Sequence, residues 1–277
     1  MPLELSLGSV FLSEFVGTAI LVLMGAGVCC GVSLNQSKAK DSGWIVISWG
    51  WGIAVFTGVL TAAKTGGHLN PAVTVGLAAN AMASDPVTAS CSAATRWFVP
   101  PADGDCTNAI AVSGATIAIY LLAEFTGAFV GAALAWLAFK KQFDIDQPDG
   151  AKLGVFSTGP TVRSYGWNVV TEAIATFVLV FIVLAAGNFG GGGTPVVNMG
   201  WLGALGVAIL IVGIGLSLGG PTGYAINPAR DLSPRLWHAV MPAPNKGSSD
   251  WAYAWVPVAG PLIGGLVAGL AATVLLV

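Results

Sequence analysis

Six stretches of this chain are apolar over about 20 residues or more, the length that matches the hydrocarbon core of a bilayer. They run from about Leu7 to Val32, Gly43 to Ala63, Ile110 to Phe139, Trp167 to Gly187, Gly200 to Leu218 and Trp251 to Val277. No water is available there to satisfy a bare peptide group, so each run must close its own backbone hydrogen bonds as a helix. The sequence therefore predicts six membrane-spanning helices, and an even count puts both termini on one side. Composition removes the soluble alternatives. Charged residues make up 9% and hydrophobic ones 55%, whereas soluble domains carry about a quarter charged residues. Disorder needs the opposite balance. With 11 Lys+Arg against 13 Asp+Glu and a net charge of −2, there is no basic field for nucleic acid. The N-terminus lacks a basic leader, so Leu7 onward reads as a first span and not a signal peptide. Cys29, Cys30, Cys91 and Cys106 have no metal-ligand spacing and lie far from His68 and His238 in sequence, so no metal site is expected. Cys29 and Cys30 read as packing residues.

Two further apolar segments are too short to span: Leu69 to about Met82, and Ile226 to about Val240. Each begins with the same triplet, Asn70-Pro71-Ala72 and Asn227-Pro228-Ala229. Asn is a good N-cap and Pro suits the first helical position. Each segment reads as a short helix preceded by Gly-rich chain, and non-helical backbone at membrane depth is tolerated only when buried in protein or lining a wet cavity. The two halves correspond. Asn70 and Asn227 lie 157 residues apart, as do Trp44 and Trp201, and Glu14 and Glu172 lie 158 apart. Three spans precede the fourth, so the copies enter the membrane in opposite directions, an inverted repeat. Gly127 and Gly131 pair with Gly260 and Gly264 at an offset of only 133. The first half thus carries an insertion of about 24 residues, roughly 84–108, which reads as a surface loop. The chain is read as one channel domain over 1–277, with a first repeat over 1–139 and a second over 167–277. The Gly pairs read as sites of close helix approach.

The segments His68-Leu-Asn-Pro-Ala-Val-Thr74 and Gly223-Tyr-Ala-Ile-Asn-Pro-Ala-Arg230 resemble the two signature loops of the aquaporin, or major intrinsic protein, family. The resemblance covers the chain apart from the insertion. It implies an all-α membrane bundle of six transmembrane helices and two re-entrant half-helices, assembled as a homotetramer in the cell membrane, with no cofactor and no catalysis. It implies that Glu14 and Glu172 brace the re-entrant loops, and that Gly66, Gly67, His68, Leu69, Gly223, Tyr224, Ala225 and Ile226 line the pore with carbonyls. Four positions, Trp49, Gly215, Tyr224 and Arg230, match the narrowest ring. Water-selective relatives usually carry His at the place of Gly215. Here a small residue leaves room for an aromatic, so Trp49 and Tyr224 would form an apolar corner opposite Arg230. A polyol presents a CH face and a row of hydroxyls, which such a ring suits. Asp231, Arg235 and Pro257 also resemble the aquaglyceroporin pattern, with Asp231 and Arg235 as an i,i+4 pair worth tenths of a kcal/mol if exposed. The expected activity is passive conduction of glycerol, small polyols and some water. A water-selective channel of the same fold is the first alternative. A proton-coupled transporter using Glu14, Glu124 or Glu172 is a distant one, and no residue arrangement supports an enzyme. Glu124 sits where many relatives carry Gln, and its role stays open.

The resemblance also implies cytoplasmic termini, and charge disagrees. Lys38, Lys40, Lys140, Lys141, Lys152, Arg163 and Lys246 would then lie outside, with only Lys64 and Arg96 inside, against the positive-inside rule. In that orientation a Cys91–Cys106 disulfide is not expected; the inverted orientation would permit one.

Overall fold

Each apolar run forms a helix in the computed structural model, which describes residues 5–83, 110, 112–187 and 201–276. The elements are α1 (Leu7–Ser33), α2 (Trp44–Thr61), α3 (Pro71–Ala83), α4 (Gly114–Ala138), α5 (Lys140–Asp144), α6 (Ala151–Gly154), α7 (Tyr165–Gly187), α8 (Trp201–Leu218), α9 (Pro228–Val240) and α10 (Val256–Leu275). Six of these, α1, α2, α4, α7, α8 and α10, are long and apolar enough to cross a membrane. The spans α4 and α10 start four to five residues later than the apolar runs suggest, because Ser113 caps α4 and Pro257 sets the first turn of α10. The insertion around 84–108, with Arg96, Cys91 and Cys106, and the connection from Asn188 to Met199 lie outside the described residues.

The packing follows the repeat. α1 lies against α4, and its counterpart α7 lies against α10. The half-helices cross over: α3 of the first repeat packs on α10 of the second, and α9 packs on α4. Small residues permit this approach. A Cβ at Gly131 would run into the Ala19 carbonyl of α1, and one at Gly264 into the Ala173 carbonyl of α7. Backbone faces backbone at both places, so a side chain has nowhere to go.

The half-helix α9 is bolted to the chain around it by a buried ion pair. Arg235 Nε and Nη2 donate to Asp231 Oδ1 at 2.9 and 2.8 Å, and both side chains are fully buried. Asp231 Oδ2 accepts from the Thr158 amide and hydroxyl at 2.6 and 2.7 Å. Arg235 also donates to the carbonyls of Thr158 and Ser249, each at 2.9 Å. The i,i+4 spacing read from sequence is present, but the solvent-exposed energetics attached to it is corrected. Both charges are out of water, and every partner holds a neighbouring loop. Three of the basic residues on this side of the molecule donate to backbone carbonyls. Lys40 Nζ donates to the Ser33 carbonyl at 2.9 Å, Lys152 to that of Pro244 at 2.6 Å, and Lys246 to those of Ala239 and Met241 at 2.6 and 3.0 Å. Burial holds the Lys152 ammonium below the usual lysine range.

Two outcomes follow from this packing. Gly264→Val should lower the thermal unfolding midpoint of the detergent-solubilised protein by the equivalent of about 1–3 kcal/mol, while Gly203→Val, which faces open space, should not. Arg235→Met strands a buried carboxylate and should cost about 3–5 kcal/mol. Arg163→Met, breaking an ion pair whose Arg side chain is 44% exposed, should cost about 1 kcal/mol or less. Equal losses from the two Arg variants would contradict the bolt.

Candidate functional site

The two half-helices meet by their N-termini. Asn227 caps α9, its Oδ1 accepting from the amides of Ala229 and Arg230 at 3.0 and 3.1 Å. Asn70 does the same for α3, accepting from the Ala72 amide at 2.9 Å. With each oxygen committed to its own helix, the amide nitrogens reach across. Asn70 Nδ2 donates to the Ile226 carbonyl at 2.8 Å, and Asn227 Nδ2 donates to the Leu69 carbonyl at 2.8 Å. The pair of bonds is reciprocal and joins the two repeats tip to tip. Each cap leaves a second Nδ2–H, and the positive ends of two helix dipoles converge at one point.

The chain before each triplet is irregular in the same way. Gly66, Gly67 and Leu69 have φ of 90°, 61° and 56°, and Gly223, Tyr224 and Ile226, each 157 residues on, have 85°, 40° and 44°. Left-handed backbone interrupts any helical pattern and leaves amides in these loops without helical partners. Buried carboxylates collect those amides. Glu14 Oε2 accepts from the Leu69 amide at 2.9 Å, and its Oε1 accepts from the His68 amide at 3.2 Å and the Thr65 hydroxyl at 2.6 Å. Glu172 Oε1 and Oε2 accept from the amides of Ala225 and Ile226 at 2.9 and 2.8 Å. Every oxygen of both carboxylates is thus occupied by a loop donor.

One turn into each half-helix sits a polar anchor. In α9 it is Asp231. In α3 it is Thr74, at the 157-residue offset, whose hydroxyl donates to Glu124 Oε1 at 2.6 Å and lies 2.7 Å from His68 Nδ1. His68 in turn stacks on Tyr120, with centroids 4.1 Å apart, and the Tyr120 hydroxyl donates to the Thr65 carbonyl at 2.6 Å. Glu124, open in the sequence reading, is therefore tied to the first half-helix. At the offset of the last helices its counterpart is Pro257, buried in the first turn of α10.

A cavity lies between these loops and the surrounding spans. Its polar side is made of Gly66, Gly67, His68 and Leu69, then Tyr224, Ala225 and Ile226, with Asn70, Asn227 and Arg230 between and beyond them. Gly223 is outside the lining; the position of its absent Cβ faces Thr158. The opposite side is apolar, with Leu21, Val55, Val59, Leu77, Val183 and Ile211.

At one end three of the four ring positions come together, and the fourth is corrected. Arg230 borders the cavity, with Nη1 donating to the Phe156 carbonyl at 2.9 Å. Tyr224 lies beside Gly215, where a Cβ would stand 2.9 Å from the ring carbon that carries the hydroxyl. Trp44 closes its other side edge-on, at 5.6 Å between centroids, and donates its indole N–H to the Gly215 carbonyl at 2.8 Å. Trp49 is not here. It is 47% exposed on an outward stripe with Ile45 and Ile53. The tryptophan of α2 that faces the cavity is Trp51, 4% exposed, with the Arg230 guanidinium carbon 3.9 Å from its ring centroid. Residues two positions apart on a helix point about 200° apart, so of two tryptophans separated by one glycine only one can face the cavity. The periodicity of outward Ile45, Trp49 and Ile53 was the available signal. The Phe156 and Thr158 contributions come from a connecting segment and carry no sequence signature.

Comparison with known proteins agrees with this geometry. The family model described as major intrinsic protein matches residues 4–89 and 106–272. Glycerol uptake facilitator protein 3 of Lactiplantibacillus plantarum is 45% identical over 99% of this chain and 98% of its own length. A probable glycerol uptake facilitator protein of Thermotoga maritima is 44% identical over 94% of this chain and 96% of its own. Among solved structures, the aquaglyceroporin from Plasmodium falciparum superposes with a TM-score of 0.72 at 25% identity, covering 98% of this chain and 97% of that one. The chain is a multi-pass membrane protein with the aquaporin fold, and it belongs to the major intrinsic protein family.

Proposed function

We propose that the chain is a passive channel for glycerol and other small neutral polyols, which also passes some water. The observation that carries this reading is the two-sided constriction. Trp51 and Tyr224 present apolar faces, and Arg230 presents donors. A linear polyol has matching sides: its CH edge lies against the aromatics while its hydroxyls face Arg230, the two Asn amides and the loop carbonyls. Each hydroxyl stripped of water would lose several kcal/mol, and the polar strip returns those hydrogen bonds one after another. An ion finds no such exchange. Two helix N-termini and Arg230 place positive potential at the middle of the path, a recognised way of excluding cations and protons. The relatives' names as glycerol uptake facilitators support the same substrate.

The roles assigned to the residues follow. Gly215 makes room for Tyr224, and Trp51, Tyr224 and Arg230 select. Asn70 and Asn227 orient the passing oxygen. Glu14 and Glu172 hold the loops and do not relay protons, a reading supported by the full occupation of their oxygens. The functional unit is a homotetramer with a pore in each chain, in the plasma membrane, with cytoplasmic termini.

Stopped-flow light scattering on proteoliposomes tests the reading. In a glycerol gradient the vesicles should shrink and rapidly re-swell, at a rate unchanged by a proton gradient. Shrinkage without re-swelling would make this a water-selective channel, and a rate that follows the proton gradient would make it a coupled transporter. Two variants test the ring. Tyr224→Ala should admit longer polyols, such as five-carbon ones, at least several-fold faster. Gly215→His fills the space that Tyr224 occupies and should reduce glycerol flux at least tenfold while water flux persists. Unchanged selectivity in both would remove Tyr224 from the constriction.

A further inference from the structure

Both aromatic residues of the constriction are seated in slots cut by two residues one turn apart on a neighbouring helix. For Tyr224 the slot is Gly215 of α8 and Gly219, the residue just past its end, at both of which a Cβ would press on the phenol ring. For Trp51 the slot lies on α1. A Cβ at Gly25 would overlap the six-membered ring of the indole. Cys29, four residues on and therefore on the same face, accepts the indole N–H at Sγ, 3.3 Å away. Gly25 and Cys29 are both buried. The indole is thus closed from behind by backbone, held at its nitrogen by sulfur, and turned face-on to Arg230 at 3.9 Å.

We propose that Gly25 and Cys29 are positioning residues for solute selection: they set the depth and tilt of Trp51, and through it the opening left beside Arg230. This rests on the channel reading above. The sulfur is a weak acceptor, so its contribution is direction and not binding strength. An indole N–H at membrane depth that loses its acceptor must find another, and the polar groups close to Trp51 are those of the cavity wall. Replacing the acceptor therefore turns the ring toward the lumen. A residue that merely fills space at position 29 would behave differently, because Val would replace Cys without consequence.

The experiment measures the glycerol-to-water permeability ratio in proteoliposomes for the parent, Cys29→Ser, Cys29→Val and Cys29→Ala. Ser keeps an acceptor on the same bond; Val and Ala do not. The expected result is a Ser ratio within threefold of the parent, with Val and Ala each shifted by more than threefold. Ala, which adds no bulk, serves if Val does not assemble. A Val or Ala ratio within threefold of the parent overturns the proposal, as does a Ser ratio shifted as far as theirs, since both would assign Cys29 to packing alone. Gly25→Ala, which pushes the indole forward, should lower glycerol flux more than water flux, and an equal loss of both would likewise count against positioning. A parent that re-swells in glycerol, with an unshifted Cys29→Val ratio, overturns this inference only; a parent that passes no glycerol overturns the channel reading with it.

Discussion

Two hydrogen bonds between caps, Asn70 to the Ile226 carbonyl and Asn227 to the Leu69 carbonyl, hold together a structure that has no other reason to exist in a membrane. A half-helix leaves its first amides without intrahelical partners, and the chain that leads to it is irregular where lipid permits no irregular backbone. Joining two such tips solves both problems at once. The caps serve the first turns, the cross-bonds satisfy the carbonyls next to them, and Glu14 and Glu172 collect the loop amides. The loops that carry the remaining carbonyls line the cavity. A polar strip along an otherwise apolar passage is thus a consequence of how the backbone is satisfied.

The repeat builds this frame, and departures from the repeat build the site. Where the first loop has Gly67 the second has Tyr224, a bulky residue held at φ 40°, a conformation that costs about 1–2 kcal/mol for a side chain with a Cβ. That placement sets a phenol ring beside Gly215 at the cavity. Thr74 and Asp231 occupy the same place in the two half-helices, yet one is anchored to Glu124 and His68 and the other to Arg235 and Thr158. Arg230, next to Asp231, is therefore set on the more heavily tied of the two half-helices. An arginine facing a solute path benefits from that rigidity, because its neighbour Asp231 cannot shift without unpairing a buried charge.

Much of this was legible in the chain. Six spans follow from apolar run length, the half-helices from Asn-Pro-Ala at membrane depth, and their pairing from the 157-residue offset. The bracing carboxylates Glu14 and Glu172 follow from the same pattern read against the resemblance. What failed is instructive. Trp49 and Trp51 differ by two positions, and matching along the chain chose the one whose helical face points outward, whereas the exposed stripe of Ile45 and Ile53 decides for Trp51. The Asp231–Arg235 spacing was visible, but its burial was not, since burial depends on segments around Thr158 and Ser249 that carry no pattern of their own. The Phe156 carbonyl on Arg230 is a backbone contact and leaves no trace in residue identity.

One passage carries two chemically different walls, and a polyol reads both. A density map of the protein in lipid nanodiscs, recorded with glycerol, tests this most directly. Glycerol should lie in the constriction with its carbon edge against Trp51 and Tyr224 and its hydroxyls within hydrogen-bond distance of Arg230 and the loop carbonyls. Glycerol bound with its hydroxyls toward the aromatic pair, or a constriction formed without Trp51, would contradict it.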